Sequence, residues 1–308
     1  MPLPRFVVRG PDPDGGPTPR EGHALLRAVL DSCQPHRGRG RPVVVFDLDG
    51  TLIDNRPRTC VILREFALRC RGRDDALAAR LEAARPEDLE YLLSDSLERI
   101  GAHRTELVAE MHAFWQERFF ADSHLVHDVP VPGAVEFARA CYAAGALLMY
   151  CTGRDLPLMG TGTFQSLRDL GFPIGVTATE LVLKPDATIA DESFKRLIAP
   201  DLARVGRLVA AFDNEPGNCN VLLRYYPDAH IVHVATQHTP GAPALVPGVG
   251  VIEDSSPPVG VLGHAHGVKT CLHVHEVGVR PPLRRPDVGL YGRCHGAYRS
   301  APARSASW

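Results

Sequence analysis

The sequence has no long hydrophobic run, no closely spaced cysteine pair and no excess of either charge. No apolar stretch approaches the roughly 18 residues that a membrane-spanning helix needs, and the first residues lack the apolar segment of a secretion signal. The eight cysteines are scattered and include no Cys-x-x-Cys pair, which is typical of reduced thiols. The formal net charge of −2 provides no electrostatic footprint for nucleic acid or membranes. We therefore expect a cytoplasmic protein that binds neither.

A predicted buried strand that ends in two aspartates is the most informative stretch. Five of the six residues 43–48 are apolar, without alternation, which favours a strand buried on both faces of a parallel sheet. Asp47 and Asp49 lie one residue apart at its end, and an isolated buried carboxylate is costly. We expect them at the exposed carboxyl end of the strand or around a cation. Gly50 then permits a tight turn or the close approach of a ligand.

Strand-like and helix-like segments alternate along most of the chain. The predicted strands are 43–47, 146–151, 180–183, 207–212 and 229–234, with short ones at 174–176 and 250–253. The predicted helices are 21–33, 134–144, one ending near 170, 191–205 and 219–226. This alternation predicts an α/β fold with a doubly wound parallel sheet, in which ligands bind outside the carboxyl ends of the strands.

Residues 55–128 interrupt the alternation with a helical insert. Its predicted helices are 57–70, 74–84, 86–99 and 104–119. An insert at this place would overhang the carboxyl end of the first strand. Five of its side chains could line a pocket there or belong to the hydrophobic core of the insert: Tyr91, Trp115, Arg118, Phe119 and Phe120.

Composition divides the chain into four predicted parts. They are an arm, short helix and linker at 1–41, an α/β core at 42–54 and 129–254, the helical insert at 55–128, and a low-complexity tail at 255–308. We expect the tail to be disordered, since it is rich in Pro, Gly, Arg, Ser and His and shows neither a helical nor a strand period. Its histidines and cysteines match no zinc-ligand spacing.

Polar groups follow several of the predicted strands. Asp47, Asp49, Thr152 and Asp213 stand at predicted carboxyl ends, and Lys184 follows a further extended segment. These ends meet in one crevice of a parallel sheet, so we expect the groups to lie together. One carboxylate can act there as a nucleophile while a second transfers protons. Mg²⁺ on oxygen ligands, with Thr152 and Lys184 on phosphate oxygens, would complete a site for phosphoryl transfer.

Four segments carry these groups in order along residues 42–254. They are Asp47-Leu48-Asp49-Gly50-Thr51, Thr152-Gly153-Arg154, Lys184-Pro185 and Asp213-Asn214-Glu215-Pro216-Gly217-Asn218. In this order they resemble the motifs of the haloacid dehalogenase-like hydrolase superfamily, and the insert resembles its helical cap of the first type, between the first and second motifs. The resemblance implies a Rossmann-like core and a Mg²⁺-dependent phosphatase that acts on a small phosphorylated metabolite.

The resemblance also implies roles for the first and second motifs. Asp47 would be the nucleophile that forms a phosphoaspartate, and Asp49 would be the general acid/base. Mg²⁺ would be held by the Asp47 carboxylate, the main-chain carbonyl of Asp49 and Asp213. Thr152 and Gly153 would bind the phosphoryl group.

The third motif matches the superfamily pattern, whereas the fourth motif departs from it at one position. Lys184 would steady the phosphoryl group and the nucleophile. The superfamily often has two adjacent acids in the fourth motif, but here Asn214 follows Asp213. Either Asn214 keeps a contact with a metal-bound water, or Glu215 supplies the missing charge. Asn218 matches a later asparagine of the superfamily pattern and is expected close to the metal.

Other activities of the superfamily fit the sequence less well or remain open. Asp49 argues against a haloalkanoate dehalogenase, which usually lacks the second aspartate. Phosphonate hydrolysis would need a lysine in the cap, and residues 55–128 contain none. A phosphosugar mutase and a non-catalytic binding protein that retains the fold remain alternatives. Five arginines could favour an anionic substrate or be solvated surface groups: Arg56, Arg58, Arg64, Arg118 and Arg154.

Overall fold

The computed structural model describes residues 19–35, 38, 40–103 and 106–253, with side chains from residue 21 onwards. The predicted N-terminal arm and the predicted tail, with its histidines and cysteines, lie outside the described residues. Those residues fall within one compact unit, and among them no helix is long and apolar enough to cross a membrane. The predicted domain boundaries stay predictions.

Within the described residues there are eight strands and nine α-helices. The strands are β1 Pro42–Phe46, β2 Ile53–Asp54, β3 Val129–Pro130, β4 Leu147–Asp155, β5 Thr179–Lys184, β6 Arg207–Asp213, β7 His230–Ala235 and β8 Gly250–Glu253. The helices are α1 Pro19–Ser32, α2 Arg56–Cys70, α3 Asp75–Ala83, α4 Leu93–Arg99, α5 Val108–Phe119, α6 Ala134–Ala143, α7 Leu156–Leu170, α8 Asp191–Ile198 and α9 Pro216–Tyr225.

Six of the strands form one parallel sheet with β1 near its centre. The order is β5-β4-β1-β6-β7-β8, and every neighbouring pair is parallel. Val43 and Val45 of β1 pack on one face with side chains of α9, whereas Val44 and Phe46 pack on the other with α1 and α6. Because successive side chains alternate across a strand, an apolar run serves both faces. The predicted α/β fold with a parallel sheet is confirmed.

The helices α2 to α5 have a hydrophobic cluster of their own. Buried side chains such as Ile62, Phe66, Leu81 and Phe114 belong to it, separately from the two clusters that cover the sheet. The rings of Phe66 and Phe114 lie 5.2 Å apart. The residues between the first and second motifs thus form a packed helical region, which we call the helical insert below.

Tertiary contacts break the predicted helix 86–99. Pro86–Asp88 forms a 3₁₀ turn, and α4 begins only at Leu93. Between them, the main-chain N–H of Glu90 donates to the Ser96 hydroxyl, and the carbonyl of Leu89 accepts from the Gln237 side chain. These side-chain bonds replace the helical bonds that the local pattern favoured.

Three further elements differ from the prediction. The helix predicted to reach residue 205 ends at Ile198 before a 3₁₀ turn, because Pro200 in that turn has no N–H to continue an α-helix. Residues 174–176 are not a strand, and β5 takes the place beside β4. The two-residue strands β2 and β3 pair antiparallel at the two ends of the insert, a long-range contact without a local signal.

Candidate active site

The first motif lies at the carboxyl end of the central strand. Asp47 follows β1 directly, and its main-chain N–H donates to the carbonyl of Phe212 over 2.9 Å. Asp213 ends β6 and Thr152 lies in β4, the two strands that flank β1. All three polar residues are buried, and Asp47 and Thr152 line a cavity of about 1070 Å³. The sheet thus brings together groups that are far apart in the sequence.

Lys195, which sequence reasoning missed, joins the two aspartates. Its Nζ lies 2.7 Å from Asp47 Oδ1 and 2.7 Å from Asp213 Oδ2. Burial alone would lower the pKa of Lys195, but the charges of Asp213 and Asp47 outweigh it and hold this pKa well above its usual value. The ammonium therefore stays charged. A signal was available, since residues 40–253 contain only two lysines, at 184 and 195.

Lys184 lies in a different ion pair. Its Nζ is 2.5 Å from Asp191 Oδ1 and donates to the carbonyl of Ile189 over 2.9 Å. Asp191 in turn covers Gly153, since a Cβ on that glycine would lie 2.3 Å from Asp191 Oδ2. The structure thus places Lys195 rather than Lys184 on Asp47, and we revise the assignment accordingly. The Lys-Pro pattern was in the expected order, but helix α8 carries the ammonium that reaches the acids.

Asp49 is held by two arginines. Arg154 Nε lies 2.7 Å from Asp49 Oδ2 and its Nη2 2.8 Å from Oδ1, while Arg58 Nη2 lies 3.1 Å from the same Oδ1. Asn55 adds a hydrogen bond of 3.1 Å. Burial by itself would raise the pKa of Asp49, but Arg154 and Arg58 hold it well below the usual range. Asp49 is therefore ionised in this arrangement.

Asp128, which lies just before β3, completes a cluster of four charges, of which Asp49 is the partly exposed member. Its two oxygens lie 2.9 Å from Arg58 Nε and 2.8 Å from Arg154 Nη2. The side chains of Arg58 and Asp128 are fully buried. Arg58 belongs to α2, so these ion pairs join the helical insert to the first and second motifs. The sequence left open whether Arg58 and Arg154 meet an anionic substrate or are solvated surface groups, and it did not single out Asp128.

The predicted nucleophile carries a raised pKa. Burial is the largest cause; the charge of Lys195 opposes it and the charges of Asp213 and Asp49 add to it, which raises the pKa of Asp47 to about 7. The Thr51 hydroxyl lies 3.2 Å from Asp47 Oδ2. Two carboxylates thus face a single ammonium, and a further positive charge would favour the ionised form of Asp47.

In the fourth motif, Asn218 alone of the three polar candidates contacts Asp213 through its side chain. The amide of Asn218 donates to both oxygens of Asp213 over 3.2 Å. The Asn214 amide instead donates to the carbonyl of Gln237 over 2.7 Å. The carboxylate of Glu215 accepts from the main chain and hydroxyl of Thr239 over 3.0 Å each. Asn214 and Glu215 thus serve the loop after β7.

The donor chemistry at Asp47 and Asp213 fits a magnesium ion. Magnesium prefers oxygen ligands and usually takes one or two protein carboxylates together with water and substrate oxygens. Burial is the main cause of the raised pKa of Asp47, and the charges of Asp213 and Asp49 add to it, so a bound cation would favour its ionised form. Among the described residues, no three His, Cys, Asp or Glu side chains are grouped to hold a metal by themselves. Two carboxylates on one site correspond to the small number of protein ligands that Mg²⁺ usually takes.

Comparisons with solved structures find distant similarities. A proposed phosphatase from Clostridium difficile is 15% identical, with a TM-score of 0.43 over 65% of this chain and 88% of that one. Protein tyrosine kinase A of Mycobacterium tuberculosis is 17% identical, with a TM-score of 0.42 over 70% and 93%. A predicted phosphoglycolate phosphatase from Haemophilus somnus is 14% identical, with a TM-score of 0.41 over 65% and 88%. A comparison with curated proteins finds no match.

The family assignment rests on a family model rather than on these structures. The model for haloacid dehalogenase-like hydrolases, classed as hydrolase, matches residues 42–202, just over half of the chain. This range includes Asp47, Asp49, Thr152 and Lys195, and it ends before Asp213. The chain belongs to the haloacid dehalogenase-like hydrolase family.

Proposed function

We propose that the protein is a Mg²⁺-dependent phosphatase that hydrolyses a small phosphorylated metabolite through a phosphoaspartate on Asp47. The observation that carries the proposal is the arrangement of Asp47 and Lys195, which line the cavity, with the buried Asp213 bound to the same ammonium. A buried carboxylate with a fixed ammonium beside it is suited to attack a phosphorus atom, because the cation offsets charge on the phosphoryl oxygens.

The first half of the reaction would form the phosphoaspartate. An oxygen of Asp47 attacks the phosphorus, and the bond from phosphorus to the alcohol oxygen breaks. Thr152 and the main chain at Gly153 are the proposed partners of the phosphoryl oxygens, and Lys195 holds Asp47 in place. Substrate specificity then depends on the remainder of the cavity.

Asp49 is the proposed proton carrier. In its ionised form it can take a proton from the water that attacks the phosphoaspartate, so the resting arrangement suits the second half of the reaction. To protonate the leaving oxygen in the first half, Asp49 must first take up a proton from water, which requires its carboxylate to separate from Arg154 and Arg58 because their charges favour the ionised form. Because Arg58 belongs to the helical insert, this step would couple proton transfer to a movement of α2.

Mg²⁺ would be held by the carboxylates of Asp47 and Asp213 and the main-chain carbonyl of Asp49. When bound, the ion supplies positive charge that offsets the phosphoryl oxygens and the clustered carboxylates. Asn218 would orient Asp213 through its two hydrogen bonds.

The proposed compartment is the cytoplasm. The described cysteines, six in number, are buried and free. Free buried thiols are typical of proteins that work under reducing conditions.

Phosphate release from a panel of small phosphomonoesters tests the proposal. The expected result is release that needs Mg²⁺, stops with EDTA and is lost in Asp47→Asn. The exposed aspartate of the surface pair Arg168–Asp169 offers a matched control, since Asp169→Asn should retain full activity. Release that survives Asp47→Asn would contradict the assignment of the nucleophile, and no release by folded, Mg²⁺-loaded protein on any substrate would contradict the proposed activity.

A further inference from the structure

We infer that the phosphomonoester has a leaving group with a planar ring and no negative charge, bound in the cavity against aromatic side chains of the helical insert. This inference rests on the proposed phosphatase function and deepens it by naming the class of substrate. Two independent observations carry it: the aromatic surface of the cavity and the pairing of the cations around it.

Three neighbouring aromatic rings of the helical insert form the aromatic wall, which we define as Trp115, Phe119 and Phe120. All three line the cavity. The rings of Trp115 and Phe119 are stacked with centroids 4.4 Å apart, and Phe120 meets them edge-on at 6.2 and 5.1 Å. The indole N–H of Trp115 donates to Thr59, and Arg58 lies 4.1 Å from the centre of the Phe119 ring. These contacts fix the wall before any ligand binds.

Part of the apolar lining remains open to solvent. Phe120 is 41% exposed, and Tyr91 and Leu92, which also line the cavity, are 45% and 42% exposed. Exposed apolar surface inside a concave site is the usual mark of ligand binding. Because the phosphoryl group occupies only the end of the cavity at Asp47 and Thr152, this surface is left for the leaving group.

The cations around the cavity offer no free partner to an anionic leaving group. Seven acidic side chains line it, against three basic ones: Asp47, Asp49, Asp54, Glu90, Asp191, Glu192 and Glu215 against Arg56, Arg154 and Lys195. Four of these acids also pair with cations outside the lining, namely Arg58, Arg99, Lys184 and Arg196. Each of the three lining cations is already paired with a carboxylate, at distances of 2.7 to 2.8 Å.

A second phosphate or a carboxylate on the substrate would therefore find no unpaired cation among these three. The sequence left open whether arginines favour an anionic substrate; Arg56 and Arg154 are instead engaged with Asp54, Asp49 and Asp128. An apolar ring that stacks on the aromatic wall needs no such cation and covers the exposed surface.

A substrate panel provides the first test. Phenyl phosphate and a nucleoside 5′-monophosphate present rings, whereas glycerol phosphate has none, and 3-phosphoglycerate and fructose 1,6-bisphosphate add negative charge. We expect kcat/KM for the better of the two ring-bearing esters to exceed that of the other three by about tenfold or more. A higher kcat/KM for 3-phosphoglycerate or fructose 1,6-bisphosphate would overturn the inference. A preference between phenyl phosphate and the nucleotide identifies the kind of ring.

Variants separate the aromatic wall from general stability. Phe120→Ala should lower kcat/KM for the preferred ring-bearing ester about tenfold and leave that for glycerol phosphate within about twofold. Phe164 of α7 is a matched control, since it is 38% exposed and does not belong to the cavity lining. Phe164→Ala should leave both values unchanged. Equal losses on both esters in Phe120→Ala would contradict a role in ring binding.

A binding measurement separates the failure of this inference from failure of the proposed function. The chain has two tryptophans, so Trp308→Phe leaves Trp115 as the sole indole. In that background with Asp47→Asn, phenyl phosphate should change the emission of Trp115, whereas glycerol phosphate at equal concentration should not. If phenyl phosphate changes the emission of Trp115 but the protein with Asp47 intact hydrolyses no ester, the ring site is supported and the proposed phosphatase activity is contradicted. Turnover without ring preference or emission change would contradict the ring site alone.

Discussion

At the scale of single residues, two buried aspartates share one ammonium. Asp47 and Asp213 each lie 2.7 Å from Lys195. Removing the charge of Lys195 would leave two carboxylates in a buried site, and one of them, Asp47, already has a pKa raised to about 7. Asp47 would then keep its proton, and a protonated carboxyl is a poor nucleophile.

The two lysines near the site provide a matched comparison. We expect Lys195→Met to lower kcat/KM for the best phosphomonoester by about 100-fold or more, as the loss of one buried charge at a reacting group does. Lys184→Met removes an ammonium that pairs with Asp191 and should cost less than about tenfold. Phosphate release by both variants, with urea unfolding as a check on their folding, measures the difference.

An equal loss in both variants, or a larger one in Lys184→Met, would restore the assignment that the Lys-Pro motif favoured. Lys195→Arg is a further control, since it keeps the charge but changes the shape of the donor. It should recover part of the stability that Lys195→Met loses while activity remains low. The charge and the position of the ammonium can thus be judged separately.

At the scale of elements, the turn between β1 and β2 decides how the first motif meets the fourth. Gly50 has a φ of 79°, and its N–H donates to the carbonyl of Ile53 over 2.8 Å. A Cβ there would lie 2.3 Å from Nδ2 of Asn214, whose amide is bonded to the carbonyl of Gln237. The glycine is needed both for its left-handed backbone and for the close approach of another segment.

Gly50→Ala and Gly72→Ala separate these two requirements. Gly72 has a similar φ of 76° but has no heavy atom within 4 Å of an added Cβ. Gly72→Ala should therefore cost only the backbone strain of about 1–2 kcal/mol, whereas Gly50→Ala should cost more, about 3 kcal/mol or above. Urea unfolding of both variants measures these free energies.

Equal losses of stability in Gly50→Ala and Gly72→Ala would show that the Asn214 side chain can move aside without destabilising the protein. In Gly50→Ala we also expect loss of phosphate release in the fraction that remains folded, because Asp49 and the main chain of the same turn belong to the proposed metal and proton-transfer groups. Gly72→Ala should keep full activity, since it lies between α2 and α3, away from the cavity lining.

At the scale of the whole molecule, the buried apolar side chains fall into separate clusters. Phe46 packs against Phe137 of α6 and Phe212 of β6, with ring centroids 6.3 and 5.1 Å apart. Phe66 packs within the helical insert against Phe114. Clusters without shared members can lose stability independently, in local unfolding, when the contacts between them are few and polar.

Hydrogen exchange tests the predicted division between core and insert. Phe66→Ala should cost the insert about 3–5 kcal/mol and speed amide exchange in α2 to α5, while β1, β4 and β6 keep their protection. Phe46→Ala, the matched change in the sheet, should speed exchange throughout the described residues. Uniform loss of protection in both variants would indicate a single cooperative unit and contradict the boundaries at 55 and 128.

The sequence by itself determined the α/β alternation and the placing of Asp47 and Asp213 at the ends of strands, with Asp49 in the turn after β1. These features depend only on residues that are close together in the sequence, because a run of apolar residues predicts a strand and the polar residue after it marks the strand's end. Thr152 lies within β4, because that strand continues to Asp155. Only the tertiary structure decided which lysine reaches Asp47, that Arg58 and Arg154 bind Asp49 and Asp128, and that β2 pairs with β3. Such contacts depend on strand register, on the rotation of α2 and α8 and on loop paths, which are fixed by packing over long distances in the chain.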